Sequence, residues 1–540
     1  MNSARRVLPK ALSLILLAVT FGVSVATAQF YEPSVSSLGL TSSSLARSPR
    51  LLGMGKLQLV VDDRDASINL WDFAQNPMGI ATDDTVSTLD LRPGTDAAHG
   101  AHLLLGPNHT YREDLAARTM HTQIEAFHRD AGGTTFGGVF QANSVRFDRP
   151  FSDNIEVRRG ISAPSIAPVL SGRFPYMGGG KLRYAVRGRF QSERRLDEYR
   201  RILTNGAGQF IGLDGLTLNP PDYFSPDEYK VSSTAFGAFV SYDVHKDHVL
   251  AFGLDAVNQK WKGTNAGFKS ASQIDEKRPY KVGQATLVGH FGKSLEYGVD
   301  GHGWLSTSQQ DWRFTLSAGV GADPLTGRGK LLEREEKGSR LDSRVKWRSG
   351  AATIGGQLWT SASKVTMTPP GASDLTSLNR FLNVVSAAVG GDTLSLPDSV
   401  VAGETRTYAW GYGAGVGYKF ARATVGSEFH WGRDLSTSLG NGLGPKQVGW
   451  DVRAGLEYLW TNAVAVRTGY LYRSYDEDDL TRSNEYGGHT GTIGLGVKPV
   501  GTTWSVESGY AIEWLVPDFG DPSHSQRSRQ NLSLQVHWGF

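Results

Sequence analysis

Read backwards from the last residue in steps of two, the chain gives Phe540, Trp538, Val536, Leu534 and Leu532, all apolar. Between them stand Gly539, His537, Gln535, Ser533 and Asn531. Successive side chains of a strand point to opposite faces, so this segment has one oily side and one polar side. The same period recurs upstream. In 408–420, Tyr408, Trp410, Tyr412, Ala414, Val416, Tyr418 and Phe420 share one face, while Ala409, Gly411, Gly413, Gly415, Gly417 and Lys419 share the other. In 504–514, Trp504, Val506, Ser508, Tyr510, Ile512 and Trp514 oppose Glu507 and Glu513. In 181–191, Leu182, Tyr184, Val186 and Phe190 oppose Lys181, Arg183, Arg187 and Arg189. Strands with one face for lipid and one for a polar interior predict an all-β fold, a transmembrane antiparallel β-barrel. Such a barrel escapes hydropathy averages, and the mean hydropathy is −0.30. The glycines spaced through 411–417 mimic a phosphate-binding loop. They all lie on one strand face, which predicts close packing inside the barrel instead.

The N-terminus reads as an address. Arg5, Arg6 and Lys10 form a basic start, 11–25 (ALSLILLAVTFGVSV) is an apolar run, and Ala26-Thr27-Ala28 supplies small residues for cleavage. Residues 1–28 are therefore expected to be a signal peptide for Sec-type export, leaving Gln29 as the first mature residue. Beyond it, no apolar run approaches the roughly 20 residues of a spanning helix. The 540 residues contain 56 basic and 53 acidic side chains, a balance that argues against a nucleic-acid partner. With no cysteine, disulfides, thiol catalysis, Cys-ligated metals and lipid attachment through an N-terminal cysteine are excluded.

The second half repeats strand, very short turn, strand, long polar connection. Residues 408–420 and 423–433 meet at Ala421-Arg422, 447–460 and 463–474 at Thr461-Asn462, and 488–499 and 501–515 around Pro499-Val500-Gly501. The connections 362–407, 434–446, 475–487 and 516–529 are longer. This asymmetry is that of bacterial barrels, whose short turns are periplasmic. Upstream, strands are expected at 97–106, 121–130, 135–147, 165–175, 181–192, 231–243, 248–261, 280–291, 295–307, 311–320 and 342–361, the last divisible into two. The count is expected to be even, between about fourteen and eighteen. Trp504 and Trp514 bracket one strand and Trp450 and Trp460 another, as two interfacial girdles would require. Residues 219–222 (Asn-Pro-Pro-Asp) and 369–371 (Pro-Pro-Gly) are turn-forming, and 374–389 carries helical spacing.

The aromatic-ended tail resembles the closing strand of bacterial outer-membrane proteins. That resemblance implies a signal made of Leu532, Leu534, Val536, Trp538 and Phe540, read by the barrel-assembly machinery, and a site among outer-membrane lipids. After the Ser-rich stretch 30–50 come Leu52-Gly53-Met54-Gly55, an apolar run to Val61, the acids Asp62, Asp63 and Asp65, then Asn69 and Asn76-Pro77-Met78-Gly79-Ile80. This order resembles the start of the FadL-like superfamily, which includes long-chain fatty-acid transporters and type IX secretion barrels. Here Met78 and Ile80 replace that family's alanine and leucine, and the insert 70–73 is unusual. The resemblance implies that 29–80 forms a tether and a small hatch in the periplasmic end of the lumen, with Gly53, Gly55, Asn69, Asn76, Pro77 and Gly79 as its motif, and that 81–540 forms the barrel. It further implies a small hydrophobic ligand. On the residues alone, Asn-Pro-x-Gly is also a common turn.

No Gly-x-Ser-x-Gly elbow and no His-Glu-x-x-His occurs, so neither an enzyme nor a cofactor is expected. The acids 62–65 and Asp476, Glu477, Asp478 and Asp479 lack a full calcium ligand set and read as solvated turns. The inward faces are expected to collect Arg183, Arg187, Arg189, Arg313, Arg453 and Arg467 against Glu296, Asp300, Glu428, Asp451, Glu507 and Glu513. Near-equal numbers of each sign favour pairing over an anion-selective wall. Three functions stay open: a channel or transporter for small hydrophobic or amphipathic molecules, a non-transporting scaffold or secretion accessory, and a general porin.

Overall fold

A computed structural model describes residues 48–61, 88–106, 109–152, 155–174, 182–201, 223–245, 247–266, 270–316, 325–368, 403–438, 442–478, 483–517 and 525–539. The signal segment, Asn69, Asn76, Pro77, Gly79, the stretches 219–222, 369–371 and 374–389, and Phe540 lie outside the described residues.

Eighteen antiparallel strands follow one another around a closed sheet: β1 (Thr88–Gly106), β2 (His109–Arg129), β3 (Thr135–Ser152), β4 (Ile155–Arg173), β5 (Leu182–Arg201), β6 (Tyr223–His245), β7 (His248–Ala266), β8 (Ser270–Phe291), β9 (Leu295–Leu316), β10 (Leu325–Ser349), β11 (Ala352–Thr368), β12 (Gly403–Lys419), β13 (Ala423–Ser438), β14 (Gly442–Leu459), β15 (Val464–Asp478), β16 (Ser483–Val497), β17 (Trp504–Pro517) and β18 (Ser525–Gly539). β1 pairs with β2 on one side and β18 on the other, with Thr88 opposite Gly539. Closure removes every free edge, which an all-β chain in lipid requires.

The two faces of the wall differ as the alternation predicts. On β12, Tyr408, Trp410, Tyr412, Ala414, Val416 and Tyr418 are exposed along one face, while Ala409, Gly411, Gly413 and Gly415 on the other are buried. Leu254 is 72% exposed, and Phe236, Val416 and Ile493 are each 60% exposed, all on outward faces. So much continuous exposed apolar surface is incompatible with water and suits the hydrocarbon of a membrane. The outer membrane is the compartment whose spanning proteins are closed barrels of this kind.

The total of eighteen conceals two shifts. The expected strands 295–307 and 311–320 form the single strand β9, and the expected 342–361 divides between β10 and β11 at a turn where Gly350 adopts φ 60°. The strands also run further into the longer connections than expected, β11 to Thr368 and β13 to Ser438. At 14 to 25 residues each, they exceed the roughly 9–11 a tilted membrane strand needs and project beyond the bilayer at the long-connection end. Polar residues alternate without contrast once both faces meet water, so hydropathy stops marking the strand there. Pairing of β4 with β5 lapses at Ala163–Pro164 and Ala167–Pro168, where proline offers no N–H.

Candidate functional site

Segment 48–61 lies inside the barrel, against the inner wall at the short-turn end. It opens with a single helical turn, α1 (Pro49–Gly53), started by proline at its N-terminus. The turn ends where Gly55 and Lys56 take φ 69° and 63°, and the Lys56 N–H donates to the Leu51 carbonyl at 2.8 Å. Left-handed residues and such a six-to-one bond are the usual way to stop a helix. From there the chain runs on to Val61. Leu51, Met54, Leu57, Leu59, Val60 and Val61 form one buried apolar cluster.

The segment lies as a belt across successive strands, and the wall beneath it is glycine. An added Cβ on Gly509 of β17 would stand 2.4 Å from the Pro49 oxygen. On Gly494 of β16 it would stand 3.1 Å from the Gly53 Cα, and on Gly469 of β15 it would stand 2.1 Å from the Gly55 nitrogen. On Gly455 of β14 it would meet the Met54 oxygen at 2.3 Å, and on Gly426 of β13 the Val60 side chain at 2.7 Å. Gly415 and Gly417 of β12 face Val60, and a Cβ on Gly355 of β11 would reach the Leu59 oxygen at 2.5 Å. These glycines let backbone approach backbone, so the spaced glycines of β12 serve as a seat.

Polar side chains then fix the belt in register. The buried Glu428 carboxylate accepts three consecutive backbone N–H groups, from Gln58 (2.8 Å), Leu59 (2.5 Å) and Val60 (3.1 Å), and is met by His430 Nε2 at 3.0 Å. Charge-assisted bonds of this kind are about twice as strong as neutral ones. Thr492 Oγ1 accepts from the Gly55 N–H and donates to the Gly53 carbonyl, both at 3.0 Å. Arg453 Nη1 donates to the Lys56 carbonyl at 2.8 Å, and Lys346 Nζ to the Val61 carbonyl at 3.0 Å. Arg50 grips Glu457 with two bonds of 2.8 and 2.9 Å. Glu457 also accepts from Arg467 at 2.6 Å, and Arg467 reaches Glu507 at 3.2 Å. Four charges thus form an alternating chain from the belt into the wall.

Of the charges expected on the inner face, Arg467, Arg453, Glu428 and Glu507 are brought together around the belt. Asp451 braces Arg453 at 2.6 and 2.9 Å. The others sit elsewhere on the inner wall: Arg183 on Asp243 (2.8 Å), Arg187 on Asp255 (2.6 and 3.2 Å), Arg189 on Gln191 (3.3 Å), Glu296 on Arg348 (3.0 Å) and Glu513 on Arg473 (3.6 Å). Asp300, fully buried, accepts from Thr286 at 2.6 Å and contacts His302. Arg313 is a correction. It is exposed and shares its strand face with the outward Leu305, because β9 is unbroken through 308–310 and its phase never resets. Leu532, Leu534 and Trp538 point outward and exposed, and Val536 is half-buried.

Sequence reasoning missed Arg50, Lys346, Glu457 and Thr492. Glu457 had a signal, since it shares its strand phase with Asp451 and Arg453. The other three had none, because nothing local in the sequence says which wall residues a distant segment will touch. Gly53 and Gly55, singled out in the motif, lie within the belt.

No family model matches the chain, and no curated protein matches it. Among solved structures, it is similar to the siderophore receptor PiuA from Acinetobacter baumannii, at 9% identity and a TM-score of 0.44 over 84% of this chain and 82% of that one. It is similar to a deltaS2 mutant of the TodX monoaromatic hydrocarbon channel, at 9% identity and a TM-score of 0.40 over 92% and 99%. It is also similar to a FadL homologue of Pseudomonas aeruginosa, at 11% identity and a TM-score of 0.35 over 91% and 98%.

Proposed function

We propose that this protein is an outer-membrane conduit for small hydrophobic or amphipathic molecules, with the belt 48–61 as the constriction at its short-turn end. The observation that carries the reading is the belt's chemistry and place. It is an apolar strap, fixed along the arc from β10 to β17, at one end of a lumen whose described walls carry ion pairs with small apolar clusters between them. A barrel of 16–18 strands leaves a channel unless something fills it. Its apolar side chains are buried, Leu51, Met54, Leu57 and Val61 each at 1% exposure or less, so the strap occupies that end as a packed body, and the hydrophobic class of solute is taken from the resemblance of 52–80 to the FadL-like start. Cleavage after Ala28, delivery through the signal ending in Phe540, and a hatch extending through 29–80 belong to the same proposal.

The test uses purified full-length protein in planar bilayers and proteoliposomes, beside a variant lacking 48–61. The deletion should raise ion conductance, and the intact protein should take up an alkyl glycoside or a medium-chain fatty acid saturably. Silence of both forms, with no uptake, would defeat the reading. A stoichiometric protein partner recovered from outer membranes would then put the scaffold reading in its place.

A further inference from the structure

Six basic side chains stand together on the outward face of β5 to β8, toward the long connections: Arg194, Lys230, Lys260, Lys262, Lys277 and Lys281, all exposed. On β5, β6 and β7 they share strand phase with the exposed Phe190, Phe236 and Leu254. The residues between them, such as Val231, Gln259 and Tyr280, are buried. Register sets the cations side by side. Arg194, Lys230 and Lys262 form one row across three strands, and Lys260 lies directly opposite Lys277 in the row below. Like charges directly opposite one another destabilise a sheet, so pairing of the strands does not account for the arrangement.

Acids do not neutralise the patch. Glu228 takes Arg194 at 2.6 Å and Lys230 at 2.8 Å. Asp275, opposite Lys262, accepts from Gln273. Among the described residues, Lys260, Lys262, Lys277 and Lys281 have no ion-pair partner. The contrast is with β10, where the outward Lys337 has Glu335 at 3.5 Å. The cations are also staggered in height. Lys281 is level with the outward Leu305 of β9, and Lys277 and Lys260 stand four residues further from the short turns. Four residues are about 13 Å along a strand, or roughly 10 Å in height at the tilt of a barrel. Below Lys281 the outward face turns shallow. One row reads Phe252, Ala285, Gly301, Leu341, two small residues between two large exposed ones. A Cβ added to Gly301 would meet nothing closer than 3.6 Å.

We propose that this face binds a multiply phosphorylated glycolipid of the outer leaflet, with its phosphates on the lysines and an acyl chain in the furrow below them. Ammonium groups near a membrane surface attract anionic headgroups, and charge-assisted bonds to phosphate oxygens are strong. A phospholipid with one phosphate at one depth meets only one row of cations. A sugar headgroup with phosphates at several depths meets both rows. The patch lies at the long-connection end, which is the outer side of a bacterial barrel. The site rests on placement in the outer membrane and not on the lumen, so failure of the conduit reading leaves it standing.

The test uses detergent-purified full-length protein, titrated calorimetrically with rough-type lipopolysaccharide and, as comparison, with phosphatidylglycerol. Lipopolysaccharide should bind saturably, at least about tenfold more tightly than phosphatidylglycerol, and raise the unfolding temperature. Lys260→Gln with Lys277→Gln should weaken that binding about tenfold, whereas Lys293→Gln, in the short turn between β8 and β9, should leave it unchanged. Without lipid the double variant should be at least as stable as the parent, because it relieves the opposed lysine pair. Heat-modifiable gel migration confirms that each variant is folded. Equal binding by the double variant and the parent, or phosphatidylglycerol binding as tightly as lipopolysaccharide, would overturn the proposal.

Discussion

Along β11 to β17 the inner wall meets a length of main chain, whereas along β4 to β9 it meets side chains from its own strands. In the first arc glycines clear the wall, and a carboxylate, a threonine and an arginine bind the belt's N–H and C=O groups. In the second arc, arginines and acids bind one another within a strand or across strands, as Arg278 does Glu276 on β8 and Arg187 of β5 does Asp255 of β7. Small apolar clusters such as Ala185, Phe239 and Ala251 sit between them. The same alternating strand therefore builds either a receptor for backbone or a self-satisfied surface. The choice depends on whether the inward positions carry glycine or long charged side chains.

The comparison can be broken where charge is most enclosed. Arg187→Ala leaves Asp255 buried and unpaired, and should lower barrel stability by about 3–5 kcal/mol in a denaturant titration, while the double change to Met and Leu should recover most of it. A glycine seat tests the other arc. Gly469→Val places a branched side chain where the Gly55 nitrogen lies, and should release the belt at a cost of about 3 kcal/mol, seen as proteolysis within 48–61. Gly160→Val on β4, which has open space around it, should leave the belt protected. If both variants behave alike, the glycine trough does not seat the belt. Glu428→Gln should weaken attachment by about 2 kcal/mol, read as faster amide exchange at Gln58, Leu59 and Val60 with barrel stability nearly unchanged. The smallest effect is expected at Pro164→Ala with Pro168→Ala, where restored N–H groups should slow exchange along β5 and add about 1 kcal/mol or less.

The strand faces were legible because lipid and lumen demand opposite chemistry from adjacent residues, and β12 shows it residue by residue. Phase was lost where that demand ends. The run 306–311 (STSQQD) is polar on both sides, so it reads as a break and puts Arg313 on the wrong face. The turn at 350–351 is short enough to hide inside a continuous pattern until Gly350 is seen with positive φ. In the belt, Gly53 and Gly55 stood out as a motif, but their seat did not. It is assembled from one or two glycines on each of several strands, and no window of sequence contains more than one or two of those strands.

The bond from Gly55 to Thr492 spans 437 residues. Segment 48–61, far ahead of the wall it touches, finds its resting place only on strands late in the sequence, so it cannot settle until those strands exist. Such extreme separation along the chain makes docking a late event in assembly. An occupied trough is thus a molecular certificate that β11 through β17 have closed in the correct order, and a barrel with a misplaced strand would carry its leading segment loose.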